Sequence, residues 1–232
     1  MMRYDAILID ADDTLLDFKA AERSALSKLL RALDLDTEAA RRTYHSINDA
    51  CWRALERGEI DQARLKVKRF EDFLARMGRR DDPGSISERY TDLLSREGGL
   101  LKGALECTRA IAARRPVAIV TNGIARIQHG RLAASGLMPY VSALVISEEL
   151  GVAKPDPRMI FEALELLGGI APGRALMVGD SLSSDIACAR AAGVDACWLN
   201  RAGAKAPEGL PIAHEIADIS QLKRIALSEG DP

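Results

Sequence analysis

Three acidic residues follow the first apolar segment of the chain. The run Ala6-Ile7-Leu8-Ile9 leads directly into Asp10-Ala11-Asp12-Asp13-Thr14. A short run that is apolar throughout predicts a strand covered on both faces, as in a parallel sheet. Ligands of open parallel sheets bind beyond the carboxyl ends of the strands, so these acids lie where a site is expected. Asp10 and Asp12 can converge on one small volume where the chain turns, although a solvated turn that merely contains three acids is the alternative.

A second acidic segment follows a later apolar run. Val178-Gly179-Asp180-Ser181 ends that run, and Asp185 follows it closely. Parallel strands would bring Asp180, and Asp185 with it, to the sheet edge that carries Asp10 and Asp12. Several carboxylates in one place repel one another unless a cation neutralises them. Hard oxygen ligands suit Mg²⁺, and no cluster of His or Cys in the sequence indicates zinc, so the sequence predicts a magnesium site.

Two further segments offer groups that could bind an anion. Val120 leads into Thr121-Asn122-Gly123, which combines a hydroxyl with backbone N–H groups at a helix start. Lys154 lies just before the proline-stiffened helix entry Pro155-Asp156-Pro157. Taken alone, Thr-Asn-Gly is a common turn and a lone Lys is usually a surface charge. Beside a carboxylate cluster, the two segments predict a cradle for a phosphate group.

The elements that must position these residues are short apolar runs separated by helical patterns. The runs are Ala6-Ile7-Leu8-Ile9, Val117-Ala118-Ile119-Val120, Ala143-Leu144-Val145-Ile146, Ala175-Leu176-Met177-Val178 and Ala196-Cys197-Trp198-Leu199. Helical patterns over residues 123–135, 156–167 and 184–192 each stop at a glycine, which is a helix C-terminal signal. Alternating strands and helices predict right-handed crossovers and an α/β fold with a doubly wound, Rossmann-like parallel sheet.

The segment from residue 18 to residue 101 breaks this alternation. It contains no convincing strand but several amphipathic helices, one of which carries Tyr44, Ile47, Cys51 and Leu55 at helical spacing. Such a segment, roughly eighty residues long, cannot be a loop in a compact domain. We therefore predict a helical cap subdomain over residues 18–101. It would be inserted into a discontinuous catalytic core made of residues 1–17 and 102–232.

Composition limits the classes of partner. The chain has 232 residues, of which 47% are hydrophobic and 28% charged, and its formal net charge is -2. This balance gives no electrostatic basis for nucleic acid or an anionic membrane as the main partner. No apolar run approaches the ~20 residues that span a bilayer, and the first residues lack the layout of a signal peptide. The four cysteines are scattered and are expected to be reduced and mostly buried. We therefore expect a cytoplasmic protein.

The order of the four strand-end motifs resembles that of the haloacid dehalogenase (HAD) superfamily of phosphohydrolases. The superfamily pattern is Asp-x-Asp-x-Thr, then Ser or Thr, then Lys, then Gly-Asp-x-x-x-x-Asp. The sequence supplies Asp10-Ala11-Asp12-Asp13-Thr14, Thr121, Lys154, and Gly179-Asp180 with Asp185. Further segments, including Val145-Ile146-Ser147-Glu148-Glu149 and Cys197-Trp198-Leu199-Asn200, are similar to the bacterial pyrimidine 5′-nucleotidases of the superfamily. Lys102-Gly103 departs from the Pro-Gly that such enzymes often have at the return from cap to core.

The resemblance implies a Mg²⁺-dependent phosphate-monoester hydrolase with an aspartyl-phosphate intermediate, whose substrate is a pyrimidine nucleoside 5′-monophosphate. Asp10 would be the nucleophile, and Asp12 the general acid and base. Mg²⁺ would be held by Asp10, the backbone carbonyl of Asp12, and Asp180. The remaining roles that the resemblance implies are phosphate binding by Thr121, Asn122 and Lys154, indirect metal support by Asp185, and stabilisation of the turn by Thr14 through a backbone hydrogen bond.

Discrimination between substrates would come from residues outside these motifs. The candidates are Phe18, Trp52, Glu56, Arg69 and Phe70. The alternative is an interior position in the cap for each aromatic residue and a surface ion pair for Glu56 and Arg69.

Three other functions remain open. One is a sibling HAD phosphatase for phosphoglycolate or another small sugar or acid phosphate, because the core motifs are shared. A haloacid dehalogenase would not need Asp12 or a metal. A non-catalytic binding module on the same fold would be favoured by loss of Asp10, Lys154 or Asp180, all of which are present.

Overall fold

A computed structural model of the chain describes residues 4–207 and 209–228, with the side chain of Glu56 outside the described part. Within these residues six parallel strands form one sheet in the order β3-β2-β1-β4-β5-β6. The strands are β1 (Ala6–Ile9), β2 (Val117–Thr121), β3 (Ala143–Ile146), β4 (Ala175–Gly179), β5 (Asp195–Leu199) and β6 (His214–Ile216). The predicted α/β class with a doubly wound parallel sheet is confirmed.

Both faces of the sheet are covered, as the apolar runs predicted. Ile7 and Ile9 of β1 pack into one hydrophobic cluster, whereas Ala6 and Leu8 pack into another. Successive side chains of a strand point to opposite faces, so each apolar run supplies both clusters. The strand β6 was not predicted, because His214-Glu215-Ile216 carries a single apolar residue.

Helices connect the strands, and several of them end at left-handed glycines. The helices are α1 (Phe18–Ala32), α2 (Glu38–Glu56), α3 (Gln62–Arg76), α4 (Pro83–Ser95), α5 (Ala104–Ala112), α6 (Ala125–Ser135), α7 (Ser147–Leu150), α8 (Arg158–Leu166), α9 (Ala187–Ala192) and α10 (Leu222–Ala226). α6 ends at Gly136 with φ 76°, and α9 ends at Gly193 with φ 69°, as the glycine signals predicted. The last predicted helix begins differently, since a π-helical turn over Leu182–Ile186 precedes α9.

The chain divides into two compact units. The core unit consists of Met1–Phe18 and Gly98–Pro232, and the helical unit consists of Lys19–Glu97. The predicted boundaries lie close to these but assign Phe18 and residues 98–101 to the helical unit. The reason is local pairing, because Leu101 N donates to Leu15 O at 2.9 Å and Asp17 N donates to Gly99 O at 2.9 Å.

The helical unit has its own interior. Tyr44, Phe70, Phe73 and Tyr90 are buried, and Tyr44 contacts each of the other three rings with centroids 5.5–5.9 Å apart. Aromatic pairs at such distances stabilise a core beyond the area that they bury. These rings join α2, α3 and α4 into one hydrophobic cluster.

Two expectations from composition are tested by the fold. Among the described residues, no helix combines the length and the apolar character needed to cross a membrane. The four cysteines are free and buried, as predicted.

Candidate active site

The sheet brings the predicted site residues to one edge. Asp10 directly follows β1, Thr121 ends β2, and Asp180 directly follows β4. β1 lies between β2 and β4, with Ile9 paired to Ile119 on one side and Val178 on the other. The carboxyl ends of the three strands therefore meet, which is where ligands of open α/β sheets bind.

Lys154 links the first and last motifs of the sequence. The side chain of Lys154 is 1% exposed, although no helix or strand contains the residue. Its Nζ lies 2.6 Å from Oδ1 of Asp10 and 2.7 Å from Oδ1 of Asp185. It also donates to the carbonyl oxygen of Val120 at 2.7 Å. Three oxygen acceptors thus fix the ammonium group between two carboxylates.

A pair of reciprocal hydrogen bonds holds Lys154 in this position. Asn122 Nδ2 donates to the carbonyl oxygen of Lys154 at 2.8 Å, and Lys154 N donates to Asn122 Oδ1 at 2.7 Å. Asn122 was predicted to bind phosphate. Its side-chain amide is hydrogen-bonded to the backbone of Lys154, a pairing that the two distant motifs did not indicate.

The electrostatics of the site are dominated by burial. Burial raises the pKa of Asp10 well above its usual value, while the Lys154 ammonium opposes the shift. Burial also raises the pKa of Asp180 to about 6, and the charge of Asp185 adds to that shift. For Lys154, burial lowers the pKa, but Asp10 and Asp185 outweigh it and the pKa lies above its usual value. The raised pKa values of Asp10 and Asp180 show that burial beside other carboxylates disfavours their charged forms, which a bound cation would restore.

The donor set fits a divalent metal ion. One carboxylate oxygen from each of Asp10, Asp180 and Asp185 lies within 4.8 Å of the others. Three carboxylates and one ammonium leave two negative charges, which a divalent cation would balance. Oxygen donors of this kind are those that Mg²⁺ prefers. Both oxygens of Asp185 already accept hydrogen bonds, from Lys154 and from Ser181 N at 3.0 Å, so Asp10 and Asp180 offer the freer donors.

The carboxylate of Asp12 is bound by two side chains of α6. Its Oδ2 accepts a hydrogen bond from Gln128 Nε2 at 2.6 Å, and its Oδ1 accepts one from Arg131 Nη1. Gln128 Nε2 also donates to Thr121 Oγ1 at 3.2 Å. Sequence reasoning missed Gln128 and Arg131, whose only signal was their spacing of three residues on the helix that follows Thr121.

Thr14 does not play its predicted part in the turn. Its hydroxyl is buried and has no hydrogen-bond partner among the described residues. The turn is held instead by the backbone, because Leu15 N and Leu16 N both donate to Ala11 O, at 2.9 and 2.8 Å. The compact backbone loop supplies the bond that was expected from the side chain.

The predicted specificity residues fall in both units. In the core unit, the half-buried Phe18 lies at the start of α1, with Arg131 Cζ 5.4 Å from its ring centroid. In the helical unit, Phe70 is fully buried and Trp52 is half-buried. Arg69 is 3% exposed and stacks on Phe70 and Tyr90, which excludes the surface ion pair considered as its alternative. The side chain of Glu56 lies outside the described residues.

Comparison with known proteins identifies the class to which this fold and site belong. Residues 4–193 match the model of the haloacid dehalogenase-like hydrolases. The chain belongs to this family, and it is a hydrolase of the HAD type, as its motifs predicted.

Individual relatives cover nearly all of the chain. It is 37% identical to pyrimidine 5′-nucleotidase PynA of Streptococcus pneumoniae, over 86% of this chain and 85% of the relative. It is 32% identical to pyrimidine 5′-nucleotidase YjjG of Escherichia coli, over 97% and 98%. The magnesium-bound crystal structure of the HAD-hydrolase YfnB of Bacillus subtilis superposes with a TM-score of 0.88 at 31% identity, covering 97% of this chain and all of that one.

Proposed function

We propose that the protein is a Mg²⁺-dependent phosphate-monoester hydrolase whose nucleophile is Asp10. The observation that carries the proposal is the position of Lys154 Nζ, 2.6 Å from Asp10 and 2.7 Å from Asp185. The ammonium of Lys154 opposes the effect of burial on Asp10, favours its charged form and fixes the carboxylate in one orientation. Such a group is suited to nucleophilic attack on a phosphate monoester.

The reaction would proceed in two displacements. In the first, an oxygen of Asp10 bonds to phosphorus, the ester P–O bond breaks, and Asp12 gives a proton to the departing alkoxide. In the second, a water oxygen bonds to phosphorus while Asp12 takes its proton. The bond from phosphorus to Asp10 then breaks and inorganic phosphate is released. Asp10 and Asp12 end in their starting states.

Binding of the phosphoryl group falls to the residues around Asp10. Thr121 at the end of β2 supplies a hydroxyl, and Lys154 supplies positive charge. Asn122 contributes by fixing Lys154 through its two hydrogen bonds. Asp10, Asp180 and the backbone carbonyl of Asp12 would hold Mg²⁺, which when bound supplies charge that screens the phosphate oxygens from the carboxylates.

The proposed substrate is a pyrimidine nucleoside 5′-monophosphate. PynA and YjjG, whose names state this activity, support it at 37% and 32% identity. The residues around Asp10 would contact only the phosphate group of the substrate. Other residues must therefore recognise the nucleoside, and Phe18 and Trp52, which are half-buried, remain the candidates with accessible ring surface.

A panel of phosphate esters tests the proposal. Specificity constants would be compared for UMP, dUMP, dTMP, AMP, GMP and phosphoglycolate in the presence of Mg²⁺. We expect the pyrimidine nucleotides to exceed the purine nucleotides and phosphoglycolate by at least about tenfold, which corresponds to roughly 1.4 kcal/mol of transition-state binding. Equal values for AMP and UMP, or a preference for phosphoglycolate, would overturn the nucleotide assignment and leave the phosphatase chemistry standing. Absence of phosphate release from every ester would overturn both.

A further inference from the structure

The geometry points to Gln128 and Arg131 as positioning residues for Asp12. This inference rests on the proposed function, in which Asp12 exchanges protons with the substrate oxygen and with water. Both residues lie on α6, three positions apart, and therefore on the same face of the helix. Each binds a different oxygen of the Asp12 carboxylate, so the two donors together set its rotation.

Arg131 is the more unusual of the two, because it is completely buried. A guanidinium group is costly to bury, and its removal from water requires compensation by a charge. Asp12 supplies that charge, and the ring of Phe18 lies against the guanidinium with Cζ 5.4 Å from the centroid. Arg131 is therefore held from two sides, which makes it a rigid support for the carboxylate.

Gln128 connects the proton-transfer group with the phosphate-binding group. A single amide nitrogen donates to Asp12 Oδ2 at 2.6 Å and to Thr121 Oγ1 at 3.2 Å. The separation between the carboxylate and the hydroxyl is thereby fixed by one side chain. A carboxylate has about four lone-pair sites, so sites remain for the substrate oxygen after both donors have bound.

Gly123 provides the space that Gln128 occupies. A Cβ atom added at Gly123 would lie 2.4 Å from Gln128 Nε2 and 2.6 Å from its Cγ. The glycine of the Thr-Asn-Gly motif thus has a role that its sequence context did not suggest. Because Gly123 has no side chain, the amide of Gln128 can occupy this space and reach Asp12.

Misplacement of the Asp12 carboxylate should lower kcat/KM by a factor that depends on the leaving group of the substrate. Departure of a nucleoside alkoxide requires a proton from Asp12, whereas p-nitrophenolate departs without one. The parameter kcat/KM reports on steps up to formation of the aspartyl-phosphate and excludes its hydrolysis. We expect Gln128→Leu to lower kcat/KM for UMP by about 10- to 100-fold, which is part of the roughly 10²- to 10⁴-fold that general acid catalysis contributes, and to lower it far less for p-nitrophenyl phosphate.

A second signature concerns the intermediate. Hydrolysis of the aspartyl-phosphate needs Asp12 as a base, and it becomes slow when that carboxylate is misplaced. Gln128→Leu should therefore release p-nitrophenolate in a burst close to one equivalent of enzyme, followed by slow turnover. Gly123→Ala, which displaces Gln128 without changing it, should show the same dependence on the leaving group.

Conservative variants on α6 provide the matched controls. Arg131→Lys keeps a positive charge but loses the planar fork, and it should show the same leaving-group dependence. Arg126→Lys makes the identical change at an exposed position of the same helix and should match wild type. Melting temperatures of all variants would show that each is folded.

A double-mutant cycle with Asp12→Asn decides between the interpretations. If Gln128 acts through Asp12, adding Gln128→Leu to Asp12→Asn should cause no further loss of kcat/KM for UMP. Equal losses for UMP and p-nitrophenyl phosphate in folded Gln128→Leu, with additive effects in the cycle, would overturn the positioning role alone. Retention of full kcat/KM for UMP by Asp12→Asn would overturn the proton-transfer role of Asp12, and the positioning role with it.

Discussion

Gly179 is the last residue of β4, and a methyl group at this position would collide with Asp185. A Cβ built at Gly179 lies 2.1 Å from Oδ2 of Asp185 and 2.3 Å from its Cγ. Ordinary van der Waals contact begins at 3.4 Å, so Gly179→Ala forces one of the two residues to move. Gly179 is paired in the sheet with Trp198, which leaves the side chain of Asp185 as the part that must yield.

The size of the effect follows from what Asp185 would lose. Its carboxylate accepts from Ser181 N at 3.0 Å and contacts Lys154 Nζ at 2.7 Å, and the residue is 1% exposed. Overpacking of a closed interior costs about 1–3 kcal/mol, and loss of a hydrogen bond to a charged group costs about 1.5–3 kcal/mol. We therefore expect a destabilisation of about 3–5 kcal/mol, similar to the cost of breaking a buried ion pair.

Thermal unfolding and a matched glycine provide the assay. In a chain of this size, 3 kcal/mol lowers the melting temperature by about 6–12 °C. Gly173→Ala is the control, because Gly173 is exposed and a Cβ there meets no atom within 4 Å. That variant should be neutral or more stable by about 0.4–1 kcal/mol. A Gly179→Ala protein that melts within about 2 °C of the Gly173→Ala protein would refute the reasoning.

Three further predictions concern the nucleophile, the metal and the thiols. Asp10→Asn should abolish phosphatase activity while the protein stays folded, and retention of more than about a tenth of wild-type turnover would contradict its role. Mg²⁺ at a hundred times its dissociation constant should stabilise the protein by about 2.7 kcal/mol in thermal unfolding, and EDTA should remove both this stabilisation and the activity; full activity in EDTA would exclude the magnesium mechanism. Burial raises the pKa of Cys107 to about 11, and those of Cys188 and Cys197 to about 12. Because thiolates are the reactive form, at most about one thiol in a thousand at these positions is reactive at pH 8, so a disulfide reagent should label them only after unfolding.

The strands and helix ends that could be predicted are those determined by residues close together in the sequence. The runs at β1, β2, β3, β4 and β5 are apolar throughout because both faces are buried, and this leaves a clear mark in the sequence. Glycines after α6 and α9 mark helix ends because a left-handed residue closes each helix. β6 leaves no such mark. It pairs with β5 through the backbone, and only Ile216 of its three residues is buried.

The parts that could not be predicted depend on residues far apart in sequence. Asn122 and Lys154 are each recognisable in a motif, but their two reciprocal hydrogen bonds exist only because the loops after β2 and β3 meet. An arginine on a helix is normally exposed, so the sequence gives no sign that Arg131 is buried. Its burial depends on the charge of Asp12, which lies more than a hundred positions away.

Burial within the helical unit narrows the set of residues that could select a substrate. Phe70 is fully buried, and its ring lies against those of Tyr44 and Tyr90, with centroids 5.5 and 5.3 Å away. Arg69 is 3% exposed, with Nη1 donating to Asn48 Oδ1 at 3.2 Å, so it too is an interior group of that unit. A ligand would have to displace this close-packed interior to reach either residue. Of the predicted specificity residues, Phe18 and Trp52 are half-buried, so contact with a substrate would not require the interior of the helical unit to open.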